Sequence, residues 1–432
     1  MSDAIVRCTR TVARRLNVLL VILVIVFAGV SAAQIELEVW HSLSPDFGAP
    51  EFERFGEEFN ALQDEIVVNV VYTGGYTDTL RRAEAALAAG NPPAISMFEQ
   101  TRGAGFVDAE AMLPLDDLIA GDPETDVGDF FERLLTICTM DGQLWCIPFN
   151  TSTPLIYYNA DMFRKVGLDP DTDVPTTWDE LMEVGPAFAQ YDDDGRLTRW
   201  AFGMRTNPGW MFDAWLGQAG GSFLNEAGDE FVFNDEHAIE MAEFWLRMID
   251  EDVAVPMTTA QTYDEFFAGN QAMVFQSTAL LVNYLAQADF DIRVAPLWCH
   301  ERCYAPFGGA NLYIFDVGDD EVHQAAWRFL DYVTSVEKGA EFSAATGYHA
   351  PRAASLETPI LQERFEAVPE ARVTYDQMSL YGHPRTLVPF WGEVHSLLTV
   401  ATEQILLEGV DPQVALDEAV EEANRLLMVF GY

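Results

Sequence analysis

Between residues 35 and 99 the chain reads IELEVWHSLSPDFGAPEFERFGEEFNALQDEIVVNVVYTGGYTDTLRRAEAALAAGNPPAISMFE. Ile35–Trp40 alternates apolar and polar side chains, the period of a strand. From Pro50 onward, Phe52, Phe55, Phe59 and Leu62 recur at helical spacing. Ile66–Tyr72 is a β-branched, mostly apolar run, as in a strand buried on both faces. Gly74-Gly75 breaks the chain, Thr77–Ala89 reads as a helix closed by Gly90, and Pro92-Pro93 leads into a strand over Ala94–Phe98. Strand, helix, strand, helix, strand predicts a parallel sheet with helices on its faces. In such sheets ligands gather outside the carboxyl ends of the strands. Those ends carry Trp40-His41-Ser42, Gly74-Gly75-Tyr76 and Glu99-Gln100. A carboxylate, an aromatic ring and small polar groups on one rim suit a polyol or sugar; the plain alternative for Glu99 is a cap on the helix that follows.

The same alternation resumes further on. Leu155–Tyr158, Ala272–Phe275 and Leu312–Phe315 read as strands. Thr177-Trp-Asp-Glu180 is a capping box that opens a helix. His237–Ile249 and Val322–Val336 are amphipathic helices, and Phe390–Phe430 is helical with a break at Gly409-Val-Asp-Pro412. No internal repeat is present. With 432 residues the chain exceeds what one core supports, so two α/β lobes are expected.

The charge balance excludes whole classes of partner. Lys plus Arg number 24 against 69 Asp plus Glu, a net of −45, and only Lys165 and Lys338 are lysines. Such a field repels nucleic acid and keeps the protein soluble in salt. Arg7, Arg10, Arg14 and Arg15 precede an apolar run over Val18–Val30 that ends in Ser31-Ala32-Ala33, the pattern of a cleaved signal peptide over residues 1–33. A retained anchor is the alternative, but the run is shorter than the ~18–20 apolar residues of a span. Removing residues 1–33 takes away four arginines and Asp3, which leaves 20 cations against 68 acids, a net of −48. An exported, periplasmic location lets the remaining cysteines pair. Asp141-Gly142 is a hairpin turn signal that brings Cys138 and Cys146 opposite each other, and Cys299 with Cys303 closes a small loop. A zinc site built from both pairs and His300 is the alternative, with a spacing that fits no common zinc pattern.

Short motifs in order along nearly the whole mature chain carry a resemblance. They are Trp40-His-Ser42, Tyr72-Thr-Gly-Gly-Tyr76, Gly90-Asn-Pro-Pro-Ala94, Pro148-Phe-Asn-Thr-Ser-Thr-Pro154 with Tyr157-Tyr-Asn159, Phe307-Gly-Gly-Ala310 and Thr346-Gly-Tyr348. The chain resembles the extracellular solute-binding proteins of carbohydrate ABC importers, the group that includes maltose-binding protein, and within it the glycerol-3-phosphate-binding members. The resemblance implies an α/β fold of two lobes, 34–148 with 306–349 and 149–305 with 350–432. It implies hinge crossings near Ile147–Phe149, Ala305–Gly308 and Gly347–Pro351. It also implies a monomer that hands its solute to a membrane permease and needs no cofactor or metal.

Position by position, the resemblance makes Tyr76, Glu99, Ser152, Trp210, Ser277, Gly309 and Tyr348 ligand contacts, with Asn207 where a second tryptophan is expected. Arg385, in Gly382-His-Pro-Arg-Thr-Leu-Val-Pro389, meets the phosphate-contacting arginine after a shift of two residues; unshifted, the position is Leu387. The chemistry of the residues agrees. Ser152, Thr151 and Ser277 supply hydroxyls, Gly308-Gly309 lets backbone amides approach, and Trp210 and Tyr348 offer flat faces for C–H groups. The plain reading of the aromatics is core packing, and of the two glycines a tight bend. A phosphate would take Arg385, Ser152, Ser277 and the Gly309 amide, with Glu99 at the far end on the glycerol hydroxyls; a neutral sugar is the alternative ligand.

Enzymatic readings find little support. A carbohydrate hydrolase with paired carboxylates is the distant alternative, but among 69 acids pairs arise by chance. No Gly-x-Ser-x-Gly, His-Glu-x-x-His or Gly-x-x-x-x-Gly-Lys motif occurs. Asp192-Asp-Asp-Gly195 resembles a calcium loop only faintly, with Gln190 and Ala201 at its ends, and reads as a solvated turn.

Overall fold

The computed structural model describes residues 34–123 and 125–431, so the signal peptide expected over residues 1–33 lies outside it. Two sheets organise the chain. The first runs in the order Ile66–Tyr72, Ile35–His41, Ile95–Glu99, Ala310–Ile314, Ile147–Pro148. Its three N-terminal strands are parallel, with Ile35 opposite Ile66 and Val39 opposite Ile95. Helices Ala49–Leu62 and Tyr76–Ala88 make the crossovers that parallel pairing demands. Ala310–Ile314, which arrives from far along the chain, pairs antiparallel, with Ala310 opposite Glu99.

The second sheet repeats the plan. Its order is Ala254–Met257, Leu197–Arg205, Gln271–Ser277, Pro154–Asn159, Ile292–Ala295. Again three strands are parallel, and an earlier or later segment, here Pro154–Asn159, enters antiparallel. Each sheet has its own core. Phe52, Phe55, Ile95 and Met97 fill the first, while Trp178, Trp215, Trp245 and Phe202 fill the second. These are two lobes, each a sheet flanked by helices.

The chain passes between the sheets after Pro148, after Ala295 and again beyond Thr346, and the crossing segments are tied together. Ser152 and Gly308 exchange two backbone hydrogen bonds of 2.9 Å each, and His349 N–H donates to Thr151 O at 2.7 Å. Ala305–Pro306 pairs in parallel with Gly382–His383. A separate apolar cluster joins Leu134 and Ile137 to Phe307, Tyr375 and Met378.

Both cysteine pairs are disulfides, with Cα–Cα separations of 5.0 Å for Cys138–Cys146 and 4.4 Å for Cys299–Cys303. The hairpin places them one residue off the expected facing. Asp141 and Gly142 both take positive φ, so the turn centres between them, and Trp145, not Cys146, pairs with Cys138. The helix expected over Val322–Val336 is two helices, Asp320–Val333 and Val336–Thr346. Ser335 ends the run because its hydroxyl caps the second helix, accepting from Lys338 N–H. Thr177 does cap Trp178–Val184, and Glu180 accepts chiefly from the Thr176 amide and hydroxyl. A full capping box stands instead at Thr258 and Gln261. In the acidic turn Asp192 spends its carboxylate on the amides of Asp194 and Arg196. Among the described residues no helix is long and apolar enough to cross a membrane.

Candidate ligand cleft

The carboxyl ends of the first sheet's parallel strands deliver the first wall of the site. Strand Ile66–Tyr72 runs out through Gly74, at φ 103°, and Gly75 into Tyr76, the first residue of its helix. Strand Ile95–Glu99 ends on Glu99 itself. The tied crossings supply Ser152, Gly308, Gly309 and Tyr348, and the second sheet supplies Gln276 and Ser277 from the end of Gln271–Ser277. Trp210 opens the helix Trp210–Gln218. All eight residues singled out from the sequence, including Arg385, line one cavity of about 290 Å³.

Local geometry sets what each can offer. Gly308 spends its N–H on Ser152, whereas the Gly309 N–H makes no hydrogen bond among the described residues. Gly309 sits at φ 98°, and a Cβ there would fall 1.8 Å from Asn150 O, so only glycine fits this crossing. Ser277 Oγ accepts from Ala279 N–H at 3.1 Å and keeps its own hydrogen to donate. Trp210 donates Nε1–H to Pro306 O at 3.1 Å and meets Phe275 edge to face, so the ring is both a packing piece and a wall. Tyr348 is buried with one face stacked on Phe342, which leaves less of that ring open than the sequence reading assigned. Loss of water pushes the Tyr76 hydroxyl up to about 12 and the Tyr348 hydroxyl well above the usual phenol range, so both remain donors at any physiological pH.

The charged groups depart from expectation. Arg385 Nη1 lies 2.7 Å from Glu99 Oε1, and its Nε lies 3.0 Å from Asp213 Oδ2. All three side chains are nearly buried, at 8%, 13% and 4% exposure. Glu99 is therefore the arginine's partner and not a distant acceptor at the other end. The physical reason is that a guanidinium out of water needs carboxylates at hand. Burial pushes the Asp213 carboxyl up, while Arg385 and the Tyr304 hydroxyl pull it down. Arg102 Nε stands 3.8 Å from Glu99 Oε2. The two arginines thus balance Glu99 and Asp213, which leaves the charge of the site near zero.

Sequence reading missed Phe47, Arg102, Gln276, Trp391 and His395, which also line the cavity. Trp391 and His395 stand four apart on the helix Trp391–Glu403, and no strand end announces them. Burial, with Arg385 close by, holds the His395 imidazole below its free value, so it is neutral. Asn207 lies away from the cavity and accepts from the Thr399 hydroxyl.

The sequence profile of the bacterial extracellular solute-binding proteins matches residues 54–369. The chain belongs to this family. The binding protein is 29% identical to the sn-glycerol-3-phosphate-binding periplasmic protein UgpB of Salmonella typhimurium, over 94% of the chain and 95% of that relative. It is 28% identical to UgpB of Escherichia coli K12 over 93% and 94%. Among solved structures, UgpB of Mycobacterium tuberculosis in complex with glycerophosphocholine superposes with a TM-score of 0.81 at 23% identity, covering 92% of the chain and 99% of that structure. The cyclic α-maltosyl-1,6-maltose binding protein of Arthrobacter globiformis gives 0.79 at 22%, covering 91% and 99%. These structures establish the two-lobed fold of the binding protein.

Proposed function

We propose that this is the periplasmic solute receptor of an ABC importer for glycerol phosphate compounds, which it captures between its lobes and passes to the permease. The observation that carries the reading is Arg385 in the wall of the same cavity as the Ser152 and Ser277 hydroxyls and the unspent Gly309 amide. A phosphate there meets one guanidinium and three neutral donors. The pairing of Arg385 with Glu99 and Asp213 favours a singly charged phosphodiester over a dianionic monoester, because each added charge must be met in a site already balanced. Glycerophosphodiesters are therefore the better substrate class, with glycerol-3-phosphate next.

The same balance favours a second reading, a neutral sugar laid against Trp210, Trp391 and the edge of Tyr348. Under either, the lobes are 34–148 with 306–349 and 149–305 with 350–432, and residues 1–33 are removed on export. The protein acts as a monomer with no catalytic step. Calorimetry with a glycerophosphodiester, glycerol-3-phosphate and a panel of neutral sugars decides. Binding of a diester with heat that falls on adding salt supports the phosphate reading; binding of sugars alone, unaffected by salt, replaces it with the second.

A further inference from the structure

A second cavity, of about 320 Å³, shares no lining residue with the first, but its Asp213 is ion-paired to Arg385 of the cleft. Its walls include Asp213, Gly217, Arg302, Tyr304, His383 and Thr386. The chain makes the two cavities neighbours in two ways. Along the helix Trp210–Gln218, Trp210 lines the cleft, Asp213 follows three residues on, and Gly217 four further on lines the second cavity. Spacings of three and four put all three on one helix face. The run from Trp210 to Gly217 then spans about 10 Å, the length of an extended glycerophosphodiester. Over that face, the segment His383–Thr386 sends Arg385 into the cleft, whereas His383 and Thr386 wall the second cavity. The Asp213–Arg385 ion pair stands at their common edge.

We propose that the two cavities are chambers of one site, that the Asp213–Arg385 pair is the partition between them, and that the second chamber takes an uncharged, hydroxylated head group beyond the phosphate. The proposal rests on the cleft holding a glycerol phosphate. The chemistry of the second chamber selects the head group. Arg302 is fixed by donating to Gly217 O and Gly221 O, which leaves a positive guanidinium in the wall. Tyr304 and His383 stack at 4.5 Å and 9° and form a flat aromatic side. The one carboxylate present, Asp213, is engaged by Arg385 and by the Tyr304 hydroxyl. A quaternary ammonium would meet the guanidinium with no free anion, whereas sugar-like hydroxyls would meet Ser222, Thr386 and the His383 ring.

Calorimetry on the mature protein tests this with matched short and long ligands: the methyl phosphodiester of glycerol, glycerophosphoinositol and glycerophosphocholine, and maltose with maltotriose. Ser222→Trp and Thr386→Trp each fill the second chamber and leave the cleft alone. Glycerophosphoinositol should bind about tenfold more weakly to both variants, with the methyl diester within about twofold of wild type, which also shows that the variants are folded. In wild type the inositol head should be preferred to the choline head. Equal change for short and long ligands, or no change for either, overturns the two-chamber site; a choline preference overturns the choice of head group. If only sugars bind, the phosphodiester reading fails by itself, and the chambers stand or fall on whether maltotriose loses affinity while maltose does not. Binding of none of the five overturns both.

Discussion

Arg385 does two jobs at once, and substitutions can separate them. It neutralises two nearly buried carboxylates, and its guanidinium stands in the cleft wall where an anion would meet it. Arg385→Lys keeps the charge but loses the fork that reaches both carboxylates. Its affinity for a glycerophosphodiester should fall at least about tenfold, while its melting temperature moves by only a few degrees. Arg385→Ala should also destabilise the protein by about 3 kcal/mol or more, because Asp213 is left buried and unpaired. Burial already raises the Asp213 carboxyl, and without the arginine it rises further. The folded variant then holds a proton that the unfolded chain releases, so its deficit should shrink as pH falls from 8 to 5. A deficit independent of pH in denaturant titrations would show that Asp213 is not the cause.

His349 makes the opposite pH argument. Burial against Tyr375 holds its imidazole down to about 3, below the free value of 6.5. The unfolded chain therefore binds the proton first. The stability that neutral His349 contributes is present above pH 6.5 and drains away as pH falls toward 3, by about 1.4 kcal/mol per pH unit. His349→Gln should flatten the decline of melting temperature between about pH 6.5 and 4.5; identical slopes in the two proteins would refute this.

At the level of elements, the crossing at Gly309 is the least forgiving position. Gly309→Ala would force a Cβ into Asn150 O and hold alanine at a positive φ, so either the crossing moves or the lobes misalign. We expect a loss of about 2 kcal/mol or more and greatly weakened ligand binding. Gly75→Ala, with open space around it, should change the melting temperature little. Thermal melts of both separate a steric cause from a general sensitivity of the cleft to glycine replacement.

The first lobe was readable because Ile35–His41 alternates, Ile66–Tyr72 is a β-branched run, its helices keep an apolar stripe, and glycines punctuate them. The second lobe hid more. Leu197–Arg205 mixes Trp, Phe and Met with Thr and Arg and shows no clean alternation, yet it sits inside the second sheet. Helix Trp210–Gln218 is buried all round, so no stripe exists to reveal it. Within the cleft, the strand ends pointed to Tyr76 and Glu99 from local pattern, and the family resemblance added Gly309. The ion pairs could not be read that way, since Arg385 and Glu99 lie 286 residues apart and meet only through the fold. Asp213 was missed for the same reason.

For the molecule as a whole, two features set behaviour in solution. One is charge: a net of −45, or −48 without residues 1–33, is repulsive at low ionic strength. Raising salt from about 0.02 to 0.5 M cuts the screening length severalfold and should raise the melting temperature; a flat response would show that local ion pairs, not the overall field, set stability. The other is the set of bonds that cross between lobes. Arg385 reaches Glu99, and Asn283 Nδ2–H donates to Asp46 O at 2.8 Å. Opening of the cleft must break both, so ligand should lower the radius of gyration in small-angle scattering. An unchanged profile at saturation would point to a fixed cleft.

The placing of Ala310–Ile314 between Ile95–Glu99 and Ile147–Pro148 has a consequence for how the protein is made. As the chain is synthesised, the N-terminal lobe cannot close its sheet until more than 200 further residues have followed Glu99, because the strand that covers that edge is encoded so late. Pairings of such long sequence separation form slowly. Under the proposed export, a nascent chain that stays unfinished in this way remains threadable for an export channel until Ala310–Ile314 has followed. A fragment stopped at residue 305 should accordingly expose the edge of Ile95–Glu99 and aggregate, whereas the complete mature chain should not.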